Sequence, residues 1–122
     1  MSAFNYFKKK NFLKAASQFN KFRKNYSNSD LNDDALYYLA YIHFLNEDYS
    51  KATLNFFELI EQFPKSNKLN ESIWWLAVAL EKSGDIGGAI DMYKKLLLGN
   101  PPDSYKLSAE SKISELNSED TQ

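Results

Sequence analysis

Apolar positions in this chain recur at a helical spacing, and the helical pattern itself returns every 37 residues. Leu36, Leu39, Ala40 and His43 fall on one side of a helix expected over 31–46. Ala52, Phe56, Leu59 and Phe63 do the same over 49–63. Residues three and four apart stack on one face of a helix, whereas alternate residues would mark a strand. Moving 37 residues on gives Ile73, Leu76, Ala77 and Leu80, then Ala89, Tyr93 and Leu96; moving 37 back gives Ala15, Phe19 and Phe22. A fixed period of this size is the signature of a solenoid, whose units pack mainly on their neighbours. The expected fold is all-α, built from paired antiparallel helices.

The punctuation keeps the same register. Asn11, Asp48 and Asp85 each precede a second helix and suit its N-cap, where a side-chain oxygen accepts a free backbone N–H. Gly84 suits the left-handed position that ends the helix before it. Pro64 and Pro101 close second helices, with Ser27 in the first copy, and Tyr26, Phe63 and Asn100 share one register position. Gly87 and Gly88 fall in a first helical turn, as a site of close helix contact or as a weak spot. Ala109, Ile113 and Leu116 form a narrow apolar stripe between Lys106, Glu110, Lys112 and Glu115, the pattern of a closing helix with one wet face. These signals divide a single domain, 1–117, into a partial unit 1–29, units 30–66 and 67–103, and a capping helix 103–117, followed by a frayed polar tail 118–122. Ala3, Phe4 and Phe7 align with Ala40, Tyr41 and Phe44 in mid-helix, so the chain is expected to begin inside a unit and to be a segment of a longer or processed protein.

Composition changes this picture in three places. There are nine Phe, eight Tyr and two Trp, more ring surface than a helical core of this size needs. The net charge is −1, but residues 1–29 hold Lys8, Lys9, Lys10, Lys14, Lys21, Arg23 and Lys24 with no acid. That face is either solvated or a docking patch for an acidic partner or an anionic surface; nucleic acid is not expected, since the overall pI is low and no binding motif accompanies the lysines. There is no cysteine, which excludes disulfides, thiolate catalysis and cysteine-bound zinc. The longest apolar run, Ile73 to Leu80, is too short to span a bilayer.

Catalytic chemistry is not expected. His43 is the single histidine, and neither a nucleophile nor an orienting partner can be assigned to it. Asp33–Asp34, Glu47–Asp48 and Glu119–Asp120 are adjacent in sequence and point apart on a helix. Asp33 and Asp34 sit near a helix start, where negative charge interacts favourably with the positive end of the helix dipole, and that suffices to explain them. Metal-binding and phosphate-binding motifs are missing, and no cofactor is implied.

The spacing of Ala52, Phe56 and Pro64 resembles the second helix of a tetratricopeptide repeat, and Leu36, Leu39 and Ala40 resemble the first. Ala89, Tyr93 and Pro101, with Gly84 in the turn, match more fully. The usual unit has 34 residues, and here three more lie around Lys65–Leu69. The corners Phe63-Pro64-Lys65-Ser66 and Tyr26-Ser27-Asn28-Ser29, with Asp48-Tyr49-Ser50-Lys51-Ala52, are similar to those of a bacterial envelope subgroup. It includes BamD-type lipoproteins of outer-membrane protein assembly and the Tol–Pal coordinator, YbgF or CpoB. The resemblance implies a right-handed α-solenoid of such helix pairs with a C-terminal capping helix.

It also implies a groove lined by first helices, which here would carry Tyr37, Tyr41 and Phe44, then Trp74 and Val78, then Phe4 and Phe7. Such rings either anchor a peptide or helix of another protein or close on one another as a second core. Chaperone-binding relatives hold a carboxylate with Lys, Asn and Arg at these stations, so chaperone tails are not expected. The function implied is a non-enzymatic interaction module in an envelope complex, that of outer-membrane protein assembly. It would be periplasmic or outer-membrane-associated, without a membrane span, and held by a lipid on a preceding segment. The alternatives are a general intracellular, cytoplasmic adaptor and a self-associating structural segment.

Overall fold

The chain is described by a computed structural model over residues 2–27 and 29–120, with the side chains of 119 and 120 excepted. Among these residues there are seven helices and no strand. They are α1 (Ala3–Lys8), α2 (Phe12–Asn25), α3 (Asn32–Leu45), α4 (Tyr49–Gln62), α5 (Leu69–Lys82), α6 (Ile86–Leu98) and α7 (Asp103–Asp120). Each helix packs on the next in sequence, and α3 also reaches α5, the neighbour pattern of a helical-repeat solenoid.

The second helix of each unit starts as its sequence dictates. Asn11, Asp48 and Asp85 accept hydrogen bonds from the amides of Lys14, Lys51 and Gly88 at 3.4, 3.3 and 2.9 Å. The third cap is shortest because position 88 has no side chain. A Cβ there would lie 2.5 Å from Asp85 Oδ2. Gly88 therefore makes room for its own cap, and not for a neighbouring helix; Gly87 has nothing within 4 Å of a built Cβ. The residue before each cap has a positive φ: Lys10 at 61°, Glu47 at 62° and Gly84 at 94°. Glycine meets that demand in only one unit of three.

The corners between units rely on serine. Ser29 Oγ accepts from Leu31 N at 3.1 Å, and Ser66 Oγ accepts from Lys68 N at 3.0 Å. Ser66 also donates its hydroxyl proton to Asp33 in α3, which ties one corner to the preceding unit. Asn32, buried at the start of α3, donates from Nδ2 to the carbonyl of Tyr26 at 2.7 Å. Asn28, the third residue of the first corner motif, lies outside the described residues.

Burial follows the apolar period. Leu36, Leu39, Ala40, Ala52, Phe56, Leu59, Ile73, Leu76, Ala77, Ala89, Tyr93 and Leu96 are all buried. Burying side chains of the Leu, Ile or Phe type contributes roughly 1.5–3 kcal/mol each. His43, expected on the buried face, is half-buried near the C-terminal end of α3. The core has two parts: Ala15, Phe19, Ala35, Leu39 and Ile42 at the first unit, and a larger cluster from Leu36 to Leu116. The tail expected from 118 is instead helical to Asp120, since the buried Leu116 holds the last turns of α7 against α6; residues 121–122 lie outside the described residues.

Candidate functional site

The 37-residue register governs the contacts between first helices. Phe7 meets Tyr38 with ring centroids 5.1 Å apart, and 37 residues on Phe44 meets Trp75 at 5.0 Å. One unit further the same two places hold Glu81 and Lys112, joined at 3.1 Å. The joint is thus made of rings in the first units and of an ion pair at the capping helix. Tyr37 packs edge-on to Phe56 at 6.0 Å, as Trp74 does to Tyr93 at 5.2 Å. Lys68 Nζ stands 5.3 Å over Tyr37, a cation–π contact, where Tyr105 approaches Trp74 at 6.2 Å.

The proposed groove residues divide within this frame. Tyr37 is only 8% exposed and belongs to the core, because its ring seats on Phe56 of the next helix and Lys68 covers its face. Burial first, then Glu71, pushes its hydroxyl pKa well above the usual tyrosine value. Tyr41, Phe44, Trp74, Val78 and Phe7 are half-buried, and Phe4 is exposed. Phe7, Tyr41 and Phe44 run in sequence, with centroids 6.1 Å apart for the first pair and 6.5 Å for the second. Their partner on α5 is Trp75, at 5.3 Å from Tyr41, and not Trp74, which turns to Tyr93 and Tyr105. Trp75 was missed by reading one stripe per helix. Its register mate Tyr38, which faces the preceding unit through Phe4 and Phe7, was the available signal.

The basic residues of the first unit are not equivalent. Lys8, Lys9, Lys10, Lys14, Lys21 and Lys24 are exposed. Arg23 is half-buried and donates to Glu58 of α4 at 3.2 Å, so it is a structural link between units. Lys14 Nζ lies 5.7 Å from the centre of the Tyr6 ring.

Titratable groups with displaced pKa values are scattered. Burial lowers that of His43, against the pull of Asp48. Burial, then neighbouring Asp33, raises that of Asp34. Tyr93 is raised by burial and by Glu81, to which its hydroxyl donates at 3.1 Å. None of these forms a nucleophile–base pair. Among the described residues no group of three or more His, Cys, Asp or Glu could hold a metal. Likewise no helix among them is long and apolar enough to cross a membrane. An exposed apolar patch that periodicity did not reveal lies on α4, where Leu54 and Phe57 stand beside Met92 and Leu80.

No curated protein matches the sequence. The family described as YfiO, outer membrane lipoprotein, matches residues 1–119, almost the whole chain. Proteins of this kind associate with the outer membrane and form a family of non-catalytic interaction proteins. Helix pairs in a constant register, serine-bonded corners and a matching family pattern converge, and the chain belongs to the YfiO family of outer membrane lipoproteins as a BamD-like tetratricopeptide-repeat protein.

Proposed function

We propose that this protein is a non-catalytic adaptor in outer-membrane protein assembly, working on the periplasmic side of that membrane. The observation that carries the reading is the half-exposed ring surface of Phe7, Tyr41, Phe44 and Trp75 along successive first helices. Rings offer large contact area at low entropy cost and are enriched in binding hot spots. Val78, half-buried one turn on from Trp75, lengthens the surface along α5; the occupant is a short peptide or a helix of another protein. The packing of these rings on one another preorganises the surface and leaves their outer faces for a partner. Membership of a lipoprotein family supports the location. The 122 residues contain no cysteine, so a cysteine-linked lipid has no attachment point within them.

The test is capture from outer-membrane extracts, comparing the native chain with Tyr41→Ala combined with Phe44→Ala. Loss of captured assembly proteins, with the far-ultraviolet helical signal retained, supports the reading. A large drop in melting temperature with unchanged capture would show that the rings serve only as a second core. Recovery of the native protein in the cytosolic fraction alone would overturn the location.

A further inference from the structure

We infer that the outer face of α4 and α6 joins a second copy of this chain in a weak two-fold dimer. This face is separate from the ring surface of the adaptor reading, none of whose residues lines it. Between the two helices lies a slot of about 310 Å³. Leu54 and Phe57 stand on one side of it, Gly88 and Met92 on the other, and Leu80 comes from α5, which packs on both helices.

The solenoid does not require this slot to be apolar. The corresponding places between α2 and α4, 37 residues earlier, hold Ser17 and Asn20 for Leu54 and Phe57. They hold His43 for Leu80, Lys51 for Gly88 and Asn55 for Met92. The same helix packing is thus built one unit earlier with polar residues. Leu54 is 68% and Phe57 52% exposed, and Leu98, seven residues beyond Asp91 on the same side of α6, is 88% exposed. Helices precede α4 and follow α6 in the stack, so the opening owes nothing to either end of the chain. Large apolar side chains that packing does not need, gathered on two helices, mark a contact surface.

Shape and charge select the occupant. Leu54 and Phe57 form a ridge directly beside the slot, so a two-fold axis brings the ridge of each copy to the slot of the other. The exposed charges around the face are Glu61, Asp85 and Asp91 against Lys82, Lys94 and Lys95. Lys51 stands by Asp48 at 3.8 Å, and Glu58 is held by Arg23 at 3.2 Å. Equal numbers of both signs favour neither an acidic nor a basic partner, and they let an identical face approach without net repulsion. Each helix is about 20 Å long and, with its side chains, about 10 Å across. The face therefore offers on the order of 400 Å² per copy, against roughly 800 Å² in a stable complex. The dimer is accordingly weak and forms only at high concentration.

Sedimentation equilibrium of the full chain, at loadings from roughly 10 μM to 1 mM, tests the inference. The native chain is expected to pass from monomer to dimer across that range. Leu54→Ser combined with Phe57→Asn installs the residues that the first unit carries at these places, so the helix is kept. That variant should stay monomeric throughout, with circular dichroism near that of the native chain. Lys94→Glu with Lys95→Glu leaves Lys82 as the one base among the six charges and should weaken association about tenfold, less so as salt rises. A native chain that is monomeric at every loading overturns the inference, since the slot then serves another occupant. So does a dimer that persists in the Leu54, Phe57 variant, since the copies then meet elsewhere. Should that variant lose its helical signal, the lysine variant decides, and association indifferent to it overturns the inference. Neither variant touches Tyr41 or Phe44, so this inference and the adaptor reading fail separately.

Discussion

Single residues carry the demands of the interhelix turns. Gly84 has φ of 94° with open space around a built Cβ, so only the backbone resists a side chain there. Gly84→Ala is expected to destabilise the fold by about 1 kcal/mol, the cost of a left-handed conformation for an L-residue. Glu47 already bears that strain at φ of 62°. Glu47→Gly is expected to stabilise, by less than about 1 kcal/mol because glycine also loosens the unfolded chain. Urea titrations of the two variants check both signs. His43 supplies a pH dependence. Burial lowers its folded pKa below the ordinary 6.5, so protonation favours the unfolded chain. Its contribution is complete above that value and is lost as pH falls through the folded pKa. Thermal melts between pH 5 and 7.5 should show a decline on acidification that is reduced in His43→Gln. Asp34 acts in the opposite sense, since its raised pKa favours ionisation in the unfolded chain as pH rises.

At the scale of the element, the first helices of successive units meet at a repeated joint, and the chemistry of that joint changes along the chain. The capping helix is held by Glu81, which accepts from Lys112 Nζ and from the Tyr93 hydroxyl, each at 3.1 Å. Glu81→Ala leaves a buried phenol and a half-buried ammonium without their acceptor. The expected cost is about 1–3 kcal/mol. Hydrogen exchange should localise it, with α7 amides losing protection before those of α4. The paired positions Phe44 and Trp75 make the same joint from rings, and it carries no charge to be screened by salt. This contrast explains why a salt increase should weaken the α7 end more than the middle of the solenoid.

For the whole molecule, stability is a sum over neighbours, because most contacts run between consecutive helices, with fewer between corresponding helices of successive units, such as α3 with α5 and Glu81 of α5 with Lys112 of α7. Ending the chain at Asn100 would uncover Tyr93, Leu96 and Trp74 together. Such a chain is expected to melt at a lower temperature and to self-associate, which light scattering would detect. Much of this architecture was legible in the sequence. A repeat of 37 residues predicts both the helices and their partners, since identical spacing forces identical neighbours, and Asn11, Asp48 and Asp85 cap as their chemistry requires. Ser29 and Ser66 mark the corners, but their role as acceptors for Leu31 and Lys68 amides appears only in three dimensions. Which rings face outward was not legible either. Helical spacing places Tyr37 and Tyr41 on one stripe, yet the next helix covers the first and leaves the second half open. Periodicity records the direction of a side chain from its own axis. The tertiary structure alone decides what stands in that direction, because coverage depends on a neighbour far along the chain, as Phe56 is from Tyr37.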